Sequence, residues 1–196
     1  AGGFTYITSG FSPGTAAAFD ANGNRAQEWV YSSNIEEISL DGSGGMLAAA
    51  GDSIARTDAA SIAADTDLST LIEPGERAVE VDALAGGRLL VTIVNDNGRG
   101  RVIELSDSSP REIVWDSSAV RGTNCEYFNA AYTEADRIDG GNTLLLEGGA
   151  GRIIEIDPAG NVLWLYIHPD ASETIVDMQR LPGGNTLIAA RNDAAG

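Results

Sequence analysis

The sequence predicts an all-β fold, a β-propeller of four-stranded antiparallel blades, with about four blades in the chain and the terminal blade shared or incomplete. Three observations predict it. A GGNTL turn at Gly140 returns at Gly183. Four segments align on the Leu or Ile before such a turn, at Leu40, Leu84, Ile138 and Leu181, with spacings of 44, 54 and 43 residues, in the range of propeller blades. Between the turns lie short β-branched and aromatic runs punctuated by Gly, Asn, Asp and Pro, and no stretch of ten residues keeps a convincing helical period.

Each element follows from its own stretch, with strands named a to d from the propeller axis outward. "FTYITSG" at Phe4–Gly10 reads as a strand b, and "TAAAFDANGNRAQEWVY" at Thr15–Tyr31 as strands c and d around an Asp20–Asn24 turn. "IEEISLDGSGGMLAAAGD" supplies a and b of the next unit, and "TDAASIAADTDLSTL" at Thr57–Leu71 reads as a short helix or a long loop. "AVEVDALAGGRLLVTIVND" then supplies a and b, and "GRGRVIELSDSSPREIVW" c and d. "YTEADRIDGGNTLLLEGG" is followed by "RIIEID" and "NVLWLY", joined by a Pro-then-Gly turn that presets one φ and permits a positive one. "TIVDMQRLPGGNTLIAARND" has a and b alone.

The expected organisation is one domain over 1–196, with blades at 32–75, 76–120, 121–168, and 169–196 together with 1–31. In that last blade Asp20-Ala-Asn-Gly-Asn stands where Asp157-Pro-Ala-Gly-Asn stands, and Trp29 sits near the place of Trp164. Five b strands face four each of a, c and d, so two closures stay open. The chain is a portion of a longer propeller or a ring completed by another chain, or it is a four-bladed ring with an overlapping seam or an exchanged strand.

Composition bounds the rest. With 196 residues and 43% hydrophobic content the chain is globular. No apolar run approaches the ~18–20 residues of a membrane helix, and a signal peptide is expected to be absent or already removed. There are 29 acidic residues against 12 basic, for a net charge of −17, and every basic residue is arginine. Such a surface is that of a protein from a high-salt setting, or of a genome that favours Arg over Lys. It repels phosphate backbones, so nucleic acid is excluded as a partner. A lone Cys125 forms no internal disulfide and reads as a small buried hydrophobe.

One constellation stands out. Four residues before each alignment position sits a carboxylate: Glu36, Glu80, Glu134 and Asp177. Repeated on strand a, these would form a ring of hard oxygen ligands, for which Ca²⁺ is the candidate cation. The alternative is that each accepts backbone N–H bonds within or between blades, with Arg137 and Arg180 pairing locally. "DANGN" at Asp20–Asn24 and "NDNG" at Asn95–Gly98 lack the bidentate Glu of a calcium loop and read as hairpin turns. No nucleophile elbow, zincin motif or phosphate loop is present, and no cofactor is required.

At "MQRLPGGNTLIAAR" and "GRIIEIDPAGNVLWLY" the chain resembles the arylsulfotransferase-like propellers, whose blades carry a similar Leu-Pro-x-Gly-Asn-Thr-Leu turn and a Val-Ile-Glu-hydrophobic-Asp strand before a Trp strand. The resemblance is good over 134–191, fair over 76–116 and 15–31, and poor over 41–75, and NHL-type propellers share the grammar. It implies an exported propeller and sulfuryl transfer through a histidine placed before the acid of strand a. Those positions are Ile35, Val79, Thr133 and Val176 here, and the single histidine, His168, follows strand d. Two functions follow: a non-catalytic secreted or surface propeller that binds another chain or itself, or an arylsulfotransferase-like enzyme whose active residues include His168 or lie outside this chain.

Overall fold

A computed structural model describes residues 5–9, 14–31, 34–41, 45–57, 62–120 and 132–192. Cys125 lies outside them, so the reading of that thiol is not addressed. The chain divides into two compact units, Ala1–Ala83 and Leu84–Gly196.

In the first unit β1 (Thr5–Ser9), β2 (Thr15–Phe19) and β3 (Arg25–Val30) form an antiparallel sheet in that order. β4 (Glu37–Leu40), β5 (Met46–Ala50), β6 (Ser53–Thr57) and β7 (Ile62–Asp67) form a four-stranded one. β8 (Glu76–Ala83) packs on β4 and β5, and the Ala78 N–H donates to the Gly51 carbonyl at 2.7 Å. Ala16, Ala18, Trp29, Tyr31, Ile35, Met46 and Ala48 bury together between the two sheets.

In the second unit β9 (Leu89–Asn95), β10 (Gly100–Leu105) and β11 (Ile113–Asp116) are followed by the sheet β12 (Glu134–Arg137), β13 (Thr143–Glu147), β14 (Arg152–Ile156) and β15 (Val162–Ile167). β16 (Glu173–Arg180) and β17 (Thr186–Asn192) make a hairpin. Leu90, Val102, Tyr132, Ala135, Leu145 and Ile154 close one face of the β12–β15 sheet. Leu144, Leu146, Ile153, Ile175 and Met178 close the other. This explains why "MLAAA" and "TLLLE" read as continuous apolar runs and not as alternation: both strands are buried at every position, because sheets cover both of their faces.

The turns are local devices. Leu84, Ile138 and Leu181 each donate their N–H to the carbonyl four residues on, at Arg88, Asn142 and Asn185. Gly140 and Gly141 take positive φ values of 86° and 85° there, a region open to residues without a Cβ. Asp20 and Asp157 close their hairpins identically, each accepting two backbone N–H bonds on Oδ1 and an Asn side chain on Oδ2. These bonds hold both carboxyls below the usual range, through Asn24 for Asp20 and through Asn161 for Asp157. "NDNG" is likewise the β9–β10 hairpin, with Asn95 Oδ1 capping Asn97 and Arg99.

Three expectations change. The segment read as a short helix or a loop contains β7, which pairs antiparallel with β6; cross-strand pairing overrides the helix propensity of its alanines. Trp29 pairs opposite Ala16 and takes the position of Tyr166, opposite Ile153, two residues along from that of Trp164. The first unit is out of step by one residue. Asp41, not Leu40, donates its N–H to the carbonyl four residues on, at Gly45, so Leu40 matches Arg137 in register.

Among the described residues the strand count matches the sequence pattern: β1, β5, β9, β13 and β17 are the b strands. β1 already pairs with β2 along its full length.

Candidate functional site

The carboxylate series sits on the strands that open each repeat, but the register change moves its first member from Glu36 to Glu37. Glu36 precedes β4 and lies 3.7 Å from Arg77, an exposed pair of the kind that contributes little. Glu80 is buried on β8. Glu134 on β12 accepts the Met178 N–H of β16 at 3.5 Å, which is the backbone-bonding alternative for that position. Among the described residues no group of three or more His, Cys, Asp or Glu side chains comes together to hold a metal ion.

Glu134 and Asp177 do share a pocket of about 280 Å³, lined also by Met178, Gln179, Leu187 and Ala189. Beside them Asp136 is pushed above the usual carboxylate range by burial and by the charge of Asp177, while the Arg180 backbone N–H opposes the shift. The neutral acid is therefore favoured by folding, and the stability it contributes is present below the unfolded carboxyl pKa and lost as pH rises through the raised value. Asp136→Asn removes the charge and keeps an acceptor for that N–H. Its Tm at pH 7 should exceed that of the wild type, with the two converging below about pH 3.5. An equal or lower Tm at pH 7 would show that Asp136 is well solvated.

Arg137 and Arg180, expected to pair locally, instead reach back to the preceding sheet. Arg137 donates to Glu104 on β10 at 2.7 Å and lies over the Trp115 ring at 4.7 Å. Arg180 donates to Glu155 on β14 at 2.6 Å and lies over the Trp164 ring at 5.5 Å. Each also donates to a carbonyl of its own turn, Gly141 or Gly184. Each Glu accepts a second bond from the turn residue of its own sheet, Arg88 or Asn142. The clamp is legible in hindsight as three repeated letters: Glu in "VIEL" and "IIEI", Trp on the next strand, Arg before the turn. Spacing alone did not say that they meet.

His168 stands at the end of β15, its N–H bonded to the Gly151 carbonyl at 2.8 Å. Nδ1 is 3.0 Å from the Tyr166 hydroxyl and Nε2 is 2.7 Å from Glu173. The ring is 14% exposed. Tyr166 and Glu173 were not singled out by sequence; the i, i+2 spacing along β15 signals the first, and nothing local signals the second. Ile35 is buried, so it does not offer a surface position there, and Thr133 and Val176 are exposed.

No family model matches the sequence, and no curated protein does. Among solved structures, the chain is similar to a protein of unknown function from Bacteroides caccae, at TM-score 0.64 and 16% identity, over 95% of this chain and 64% of that one. It is also similar to virginiamycin B lyase from Staphylococcus aureus, at 0.64 and 14%, over 95% and 59%, and to a streptogramin B lyase, at 0.66 and 13%, over 95% and 58%. These neighbours include propellers. The fold is propeller-like. At such identities the likeness shows the fold alone, and the chain spans about three-fifths of these proteins' length. No helix among the described residues is long and apolar enough to cross a membrane.

Proposed function

We propose that this chain is part of a non-catalytic β-propeller that binds another protein chain or a second copy of itself, in a secreted or cell-surface, high-salt setting. The observation that carries the reading is the state of its one histidine. Both nitrogens of His168 are hydrogen-bonded, to Tyr166 and Glu173, which fits a histidine that bridges two strands. The net charge of −17 without lysine supports the setting. The blade series 32–75, 76–120 and 121–168 belongs to this proposal. A last blade shared by 169–196 and 1–31 stays in it only if β1 leaves β2, since β1 holds the edge that another b strand would take. Light scattering at high salt tests the reading. A stable mass above the 20.4 kDa of one chain is expected; a monomer at all concentrations that retains no defined partner would overturn it.

A second reading is an arylsulfotransferase-like enzyme with active residues partly outside this chain. The three-fifths coverage of the neighbours keeps room for such residues. It requires transfer from 4-nitrophenyl sulfate to a phenol by the whole protein; no turnover would dismiss it.

A further inference from the structure

We infer that the outer edge of β15 is a self-association surface, where two copies of this chain pair antiparallel about a two-fold axis at Leu165. The inference rests on the binding reading above and names its partner and its contact.

β15 is the last strand of its sheet, hydrogen-bonded to β14 on one side. Exposed edges template pairing with another strand, and proteins commonly blunt them with charge. The other d strands follow that rule. β3 reads RAQEWV, β7 IAADTD and β11 IVWD, each with at least one charged residue. β15 reads VLWLYI, with none. In a chain of net charge −17, two copies repel over most of their surface, and an uncharged strand is where they approach without opposing like charges.

The sequence of β15 is complementary to itself in one register. Antiparallel pairing centred on Leu165 sets Leu163 opposite Ile167 of the second copy, and Trp164 opposite its Tyr166. Leu163 and Ile167 are 54% and 62% exposed in the single chain, among its most exposed large apolar residues. Leu163 has no partner on β14, because the register shifts between Glu155 and Ile156. Trp164 and Tyr166 already stack within the strand, with centroids 6.1 Å apart, so the pairing would extend an aromatic ladder across the axis. A two-fold contact needs one patch to meet itself, and this one does so with apolar and aromatic cross-strand pairs.

The test uses the full chain in three forms: wild type, L163E/I167E and L163K/I167E. Both substituted positions are exposed, so each variant should melt within a few degrees of the wild type, which checks the fold. Sedimentation equilibrium at about 0.15 M salt, where exposed charges still act over about 8 Å, should give a dimer for the wild type. L163E/I167E sets like charges opposite each other and should weaken the dimer at least about tenfold. L163K/I167E sets opposite charges across the axis and should recover much of it. A wild-type dimer unaffected by L163E/I167E would overturn this surface while leaving the binding reading in place. A wild type that stays monomeric yet binds a defined second protein would do the same. A monomer with no partner would remove both.

Discussion

Glu104→Ala should be strongly damaging to the second unit, costing about 3–5 kcal/mol of unfolding free energy, the usual penalty for breaking one side of a buried ion pair. The Glu104 side chain is 9% exposed and accepts from Arg88 and Arg137, and the Arg137 side chain is 14% exposed. Burial pulls the Arg137 pKa down, and Glu104 is the main influence opposing it. Without Glu104 the guanidinium keeps its bonds to the Gly141 carbonyl and Thr143 hydroxyl and its place over Trp115, but its charge is left buried and unpaired. Urea unfolding at constant m measures the loss. The double substitution Glu104→Leu/Arg137→Met should recover most of it, because removing both charges removes the desolvation cost along with the attraction. A loss under about 1 kcal/mol for Glu104→Ala would mean the pair behaves as a surface one. The corresponding Glu155→Ala should cost less, since Arg180 and Glu155 are 21% and 15% exposed.

Gly148→Ala should be the second large effect, and it acts through space rather than charge. A Cβ at Gly148 would lie 2.5 Å from the Ile175 carbonyl oxygen and 3.3 Å from Thr133 Oγ1. The first neighbour is backbone of β16 and cannot swing aside, so the hairpin must move off the sheet where Leu144, Leu146, Ile153, Ile175 and Met178 pack. Overpacking of this kind costs about 1–3 kcal/mol. The adjacent Gly149→Ala is the control, since nothing lies within 4 Å of a Cβ there. Thermal melts of the two variants should differ by several degrees, on the order of 2–4 °C per kcal/mol. If Gly148→Ala melts like Gly149→Ala, β16 does not approach the sheet this closely.

Outside β7, strand order, strand type and turn chemistry were determined by the sequence alone, and the reason is range. The Asp20 and Asp157 hairpins close on bonds to residues no more than four positions away, and the GGNTL turns on a bond of the same span. Neighbouring strands then pair because the chain between them is short. The all-apolar b strands announced burial on both faces without saying what covers them. Only the tertiary structure decided what meets across sheets. It moved the first repeat by one residue, so that Glu37 replaces Glu36 in the carboxylate series. It sent Arg137 33 residues back to Glu104 and Arg180 25 residues back to Glu155, where sequence spacing had suggested local pairs. It also set His168 between the Tyr166 hydroxyl and the Glu173 carboxylate. The two Arg–Glu pairs depend on how one sheet lies against the next, a relation set by packing of side chains distant in sequence.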